Sequence, residues 1–199
     1  HIAMASNRYK MPLGMRKSYF YPIKTTPDNA HPTYDTALDM GSAVKGYLAI
    51  TTASGEIVGD DQILHSVESF VSAQLDAETN LSDLEINAKL FGHKYAESTG
   101  EDSGKDDTPV SGGYGFIEPI IKDDKTTVFR ATALYHCTPM PSSEKQEADT
   151  RKPTEFSPKT NAVSYKVLAD NSGAWRNRQD YDTLAAAEAG LKKIFGAAV

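Results

Sequence analysis

The chain has 199 residues, with 21 Lys and Arg against 27 Asp and Glu, and a formal net charge of -6 when its histidines are neutral. A compact fold of this length buries on the order of 70% of its unfolded surface, so one domain needs neither a disulfide nor a metal to be stable. The acidic balance argues against a general nucleic-acid binder, which would present a basic face, but not against a protein that lets nucleic acid pass without gripping it.

No apolar run approaches the roughly 20 residues that span a bilayer, and the first residues hold no signal-peptide core. The one cysteine, Cys137, has no partner for an internal bridge, which points to a reducing cytoplasm. His1 to Ser6 reads as a vector remnant, and residues 7–199 as a single domain.

Residues 7–42 are rich in Pro, Thr, Asp and Asn and read as an N-terminal arm. Within them Lys17 to Lys24 (KSYFYPIK) predicts a strand, with Pro22 at an edge or at its end. Thr25 to Gly41 predicts a long loop, of the kind that often binds something. Ser42 to Thr51 alternates, Val44, Leu48 and Ile50 against Lys45, Tyr47 and Thr51, as a half-buried strand does. Ser54-Gly55 is a turn signal. β character then resumes at Glu56–Val58 and over Gln62–Thr79, where Val71, Ala73, Leu75 and Ala77 oppose Ser72, Gln74, Asp76 and Glu78. A sheet with one wet face is expected to be antiparallel.

Leu81-Ser82-Asp83-Leu84-Glu85-Ile86 predicts a helix start, with Ser82 and Glu85 as a capping box and Leu81 and Ile86 as a staple. Leu84, Ala88 and Phe91 form its apolar face and Gly92 its stop. Residues 97–109 (ESTGEDSGKDDTP) are expected to be a mobile acidic loop, and 140–153 a second charged connection. Between them Gly112–Cys137 predicts a hairpin around Lys122-Asp123-Asp124-Lys125. Ala162–Leu168 is a strand with Val163, Tyr165 and Val167 on one face, and Asn171-Ser172-Gly173 is a turn. Asp182 or Thr183 caps a last helix whose buried stripe is Leu184, Ala187, Leu191 and Phe195. Many strands, two short helices and no βαβ rhythm give a mainly β fold. The expected architecture is a β-sandwich or partly closed antiparallel barrel with two short flanking helices.

No catalytic set emerges. His136 and Cys137 are strand neighbours and so point to opposite faces. Cys137, in step with Phe129, Ala131, Ala133 and Tyr135, reads as a buried inert thiol. His136, in step with Val128, Arg130, Thr132 and Leu134, belongs to a partly wet face. His65 and His93 lack an HExxH spacing and there is no cysteine cluster, so no zinc site is expected. Gly112-Gly113-Tyr114-Gly115 has no lysine and helix after it to make a phosphate loop. Glu101, Asp102, Asp106 and Asp107 miss the EF-hand pattern and read as a solvated loop with room for no more than a weak cation site. Ser103 lacks a G-x-S-x-G context. The reading is of a non-enzyme without cofactor or metal. Trp175 and the ten tyrosines could serve a monomeric β-sandwich module that binds a carbohydrate or a surface protein; the blander reading is that Trp175 anchors its turn against the last helix.

Three stretches carry a resemblance that covers most of residues 17–199. They are the helix end AKLFGH (Ala88–His93), the segment GGYGFIEPIIKDDKTTVFRATALY (Gly112–Tyr135), and the C-terminal order of strand, Gly-Ala-Trp turn and helix beginning Asp182-Thr183. In pattern and order they resemble the major tail protein, or tail tube protein, of long-tailed bacteriophages of Gram-positive hosts. The resemblance implies a virion structural protein, made in the host cytoplasm, that assembles into hexameric rings stacked as a tube. It implies contacts with tape measure, terminator and baseplate proteins, and genomic DNA passing through the lumen without specific binding or membrane insertion. Some relatives carry a further immunoglobulin-like domain, which is not read in these residues. On that reading Gln74, Asp76, Glu78, Arg130, Thr132 and His136 are candidates to line the lumen or touch a neighbouring subunit.

Overall fold

The computed structural model describes residues 10–12, 14–59, 62–144 and 160–196, so His1 to Ser6 lie outside it. The fold is mainly β. Its strands are β1 (Lys10–Pro12), β2 (Lys17–Thr25), β3 (Thr33–Tyr34), β4 (Leu38–Gly59), β5 (Gln62–Thr79), β6 (Lys94–Ala96), β7 (Gly100–Asp102), β8 (Gly112–Lys122), β9 (Thr127–Pro139), β10 (Asn161–Leu168) and β11 (Arg176–Tyr181). The helices are α1 (Leu84–Phe91) and α2 (Leu184–Phe195). All strand pairings are antiparallel, and they return on themselves in the order β8–β2–β4–β5–β10–β9–β8. The ring is a partly closed barrel. On one edge of β9, β10 pairs with His136–Pro139 and β11 with Phe129–Leu134. The wall therefore forks at one end, with β11 diverging from β10.

Two apolar clusters follow from this wall. Phe20, Leu75, Tyr114, Phe116, Leu134, Tyr165 and Val167 fill the inside, joined by Leu90 and Phe91 of α1. Outside, Ile117, Ala131 and Ala133 receive Ala187, Leu191 and Phe195 of α2. On β5 the predicted alternation places Ala73, Leu75 and Ala77 inside. Thr183 caps α2 by accepting the amide of Ala186 at 3.1 Å, as one of the two expected residues.

Several expectations are corrected. Ser54-Gly55 is not a turn: β4 runs unbroken through it, Ser54 opposite Glu68 and Gly55 opposite Val67. Much of the 7–42 arm is barrel wall, since β2 pairs with both β4 and β8; the irregular part lies between β2 and β4 around the short β3. Residues 97–109 contain β7, which pairs with β6. The part of 140–153 beyond 144 lies outside the described residues. Asp83, not Ser82, caps α1, accepting the amide of Ile86 at 3.0 Å. Glu85 is then free of the capping box and pairs with Lys89 one turn on, at 2.8 Å. Leu84 is exposed because the buried face of α1 is Ala88, Leu90 and Phe91.

Gly92 does stop α1, with φ 75° in the left-handed region. A Cβ there would also lie 2.1 Å from the carbonyl oxygen of Thr108. Gly92→Ala is expected to cost about 2–4 kcal/mol, from the strained cap and a backbone clash together. A chemical-denaturation midpoint close to wild type would contradict this.

Candidate assembly surface

β4 and β5 are much longer than the barrel is tall. The β2–β4 pairing ends at Ser42 and the β10–β5 pairing at Ala73. Beyond both points the two strands, among the described residues, pair only with each other, to Gly59 opposite Gln62. Among the described residues this leaves the outer edge of β4 from Ala43 and that of β5 up to Ser72 without a strand partner. The part from Thr52 to Gly59 alone is about 25 Å of ribbon. Val44, Tyr47 and Ile50 along the open edge of β4, and Val67 and Val71 on the ribbon, are exposed, Tyr47 by 62% and Val71 by 51%. Open edges bearing apolar side chains are a pairing template for another chain.

The ribbon's root is fixed by packing. Phe70 stacks on Trp175 at 4.4 Å between centroids and 5° between planes, and the Arg176 guanidinium lies 4.3 Å over the same indole. Trp175 thus holds β5, not the last helix as expected. Its ring is sandwiched and is not an open sugar platform.

Next to the ribbon, β4, β5 and β10 present one continuous outer face. Lys45 stands opposite Glu78, Tyr47 opposite Asp76, and Gln74 between Ala49 and Lys166. Gln74 Nε2 donates to Asp76 Oδ1 at 2.9 Å and Ser164 Oγ to the same oxygen at 2.5 Å. These bonds, from Ser164 and then Gln74, hold the Asp76 carboxyl below its usual range. Thr160 donates to Glu78. His136, opposite Leu168, extends this face onto β9.

Arg130 and Thr132 do not share it. From Leu134 to Cys137 β9 advances three residues while β8 advances two, from Tyr114 to Gly112. This bulge switches the side of every later residue. Cys137 therefore joins Leu134 inside the barrel and leaves the face of Ala131 and Ala133, correcting the expected grouping. It is fully buried, and burial pushes its thiol well above the usual range. Thr132 is only 2% exposed, so it is not available to a neighbour. It lies opposite Phe116 and Arg178. With Glu118, Arg176, Leu48 and Ile50 these residues line a cavity of about 240 Å³ beneath the ribbon. Arg130 is bidentate to Asp180, Nε to Oδ1 at 2.8 Å and Nη2 to Oδ2 at 3.2 Å.

Burial raises the Glu118 carboxyl, against the opposing pull of Arg130 and Arg178. A carboxyl raised in the folded state holds its proton more tightly there than when unfolded. Stability is lost as pH rises from the unfolded value through the folded one, and the deficit persists at neutral pH. Glu118→Gln is therefore expected to melt above wild type at pH 7, with the difference closing toward pH 4. Equal melting temperatures at both pH values would refute it.

No protein-family model matches the chain, and no curated protein matches it. Two polar constellations stand apart from the ribbon. His31 Nδ1 meets both Asp170 Oδ2 at 2.7 Å and Ser172 Oγ at 3.3 Å, and the imidazole stacks on Tyr135. A serine and a carboxylate on the same ring nitrogen do not make a relay, which needs one on each. The group instead pins the segment between β2 and β4, residues 26–37 with the short β3 and not the whole of the expected Thr25–Gly41 loop, to the 170–174 turn, where Asn171 also donates to the carbonyls of Thr26 and Pro27. The second constellation gathers His93, Glu101 and Glu144, a set of metal-capable ligands that sequence spacing did not suggest.

Proposed function

We propose that the chain is a structural subunit of a phage tail tube, self-assembling into stacked hexameric rings around a channel for DNA. The observation that carries the reading is the ribbon with the adjoining edge of β4: among the described residues, two strand edges without a partner, bearing exposed apolar side chains, on a barrel that is otherwise well packed. A heterologous contact of this kind closes a ring when repeated by rotation. Strand addition to a neighbour's sheet turns an aggregation hazard into an assembly contact. The outer face of β4, β5 and β10 mixes Lys45 and Lys166 with Asp76 and Glu78. Such a face offers phosphate no net attraction, as a DNA conduit requires. Gln74, Asp76, Glu78 and His136 are the proposed lumen or subunit-contact residues, and tape measure, terminator and baseplate proteins the further partners.

A monomeric β-sandwich binding module is the second reading. It is favoured by an open groove of about 650 Å³ where His31, Tyr135 and Tyr181 face Lys193 and Ile194 of α2. Negative-stain electron microscopy over a concentration series, with light scattering on the same samples, separates the two. Six-fold rings or tubes are expected. Monomers at every concentration, together with a rise in melting temperature on adding a carbohydrate, would favour the binding module instead.

A further inference from the structure

We propose that His93, Glu101 and Glu144 bind one divalent transition-metal ion of zinc type. The three come from separate elements: His93 follows the Gly92 cap of α1, Glu101 lies on β7, and Glu144 follows the short turn Pro141–Ser143. Their ligand atoms all lie within 4.8 Å of one another. The His93 side chain is only 9% exposed, so the ring is held in place rather than swinging in solvent.

Lone pairs and protons explain why a cation fits. His93 Nδ1 is 2.7 Å from Asp107 Oδ2, and Asp107 is itself held by the amide of Gly104 at 2.7 Å. A carboxylate only accepts, so the proton on Nδ1 goes to Asp107. A neutral ring then turns the lone pair of Nε2 toward Glu144, whose two oxygens stand 3.0 and 2.9 Å away. These are acceptors facing acceptors, a repulsion relieved either by a proton on Nε2 or by a cation between them. Adjacent ligands of a tetrahedral ion with bonds of ~2.1 Å stand about 3.4 Å apart, so these gaps need open by only about half an ångström to admit one. Asn87 Nδ2 donates to Glu101 Oε2 at 3.0 Å and Glu144 Oε1 at 2.9 Å, holding the two carboxylates side by side. Asp107 does for His93 what carboxylate partners do for metal-bound histidines, fixing the tautomer and the ring plane. Three carboxylates around one imidazole leave an excess of negative charge that a dication offsets. The imidazole favours zinc-like ions over calcium, and three protein ligands leave a position for water. Bound metal would staple α1, the β6–β7 hairpin and the chain after β9 into one unit outside the barrel.

The full chain, stripped with a chelator and dialysed, would be titrated with Zn²⁺ and with Ca²⁺ by calorimetry at pH 7, with melting followed in parallel. The expected result is one Zn²⁺ per chain, a higher melting temperature with Zn²⁺, and little response to Ca²⁺. The isosteric pair Glu101→Gln with Glu144→Gln should weaken Zn²⁺ binding by at least about tenfold and remove the melting response. Asp107→Asn should weaken binding by about 10- to 100-fold through the ring's orientation. Three results would overturn the proposal: no Zn²⁺ response in the stripped wild type, unchanged binding in the Gln pair, or stability here that follows pH and ignores metal. The last would make the bridge between His93 and Glu144 a proton.

Discussion

Phe195→Ala is expected to cost about 3–5 kcal/mol, the range for truncating a buried aromatic ring. For a chain of this size that lowers the melting temperature by roughly 6–20 °C. Phe195 ends α2 and is 2% exposed. Its ring stacks on Tyr21 at 4.0 Å and meets Tyr34 edge-on at 4.9 Å. The seat exists because β8 carries glycines there: a Cβ at Gly113 would lie 2.3 Å from the ring, and one at Gly115 3.1 Å. The glycine-rich start of this strand therefore serves packing between helix and sheet, not a phosphate. It follows that Gly113→Ala should destabilise the wild type, yet cost less in the Phe195→Ala background, where the methyl occupies vacated space. Denaturation of the four proteins gives the coupling directly. A single-variant loss under about 1 kcal/mol, or strict additivity, would show that α2 is not seated this way.

What the sequence made legible and what it concealed divide by range. The two faces of β5 were readable from Ser72 to Glu78 because they differ in polarity at every step there. The stripe and cap of α2 were readable because both are local. β4 was read as interrupted because Ser54-Gly55 has turn chemistry, yet pairing with Glu68 and Val67 extends it. Tertiary pairing outweighed local propensity there. The bulge between Leu134 and Cys137 has no local marker, since it exists only relative to β8. It defeated the prediction of one polar face holding Arg130, Thr132 and His136, and the placing of Cys137 with Ala133. The polar face of β5, with Gln74, Asp76 and Glu78, was legible, but its continuation to His136 through β10 was not. The ligand cluster was hidden for the same reason, because Glu144 is 51 residues from His93 and no short motif joins them.

The double variant Tyr47→Lys with Val71→Lys is expected to form no rings or tubes at concentrations about a hundredfold above the wild-type threshold. Both side chains are exposed in the single chain, so the fold should tolerate the change, with a melting temperature within about 2 °C of wild type. In an assembled ring each would lose roughly 1.5–3 kcal/mol of apolar burial, and each lysine would bring a charge to be desolvated. Two such losses amount to at least about 3 kcal/mol, which is roughly two decades in an association constant. Lys89→Ala on α1, which breaks only a solvent-exposed pair with Glu85, serves as the control and should leave the threshold unchanged. Sedimentation and electron microscopy over a dilution series read both. Assembly of the double variant at the wild-type threshold would mean that the ribbon is not the contact surface, and the tube reading would lose the observation that carries it. Failure of the control alone would place the contact on α1 instead. Loss in the double variant with an intact fold ties the open edges of β4 and β5 to assembly, because no other change in the chain has been made.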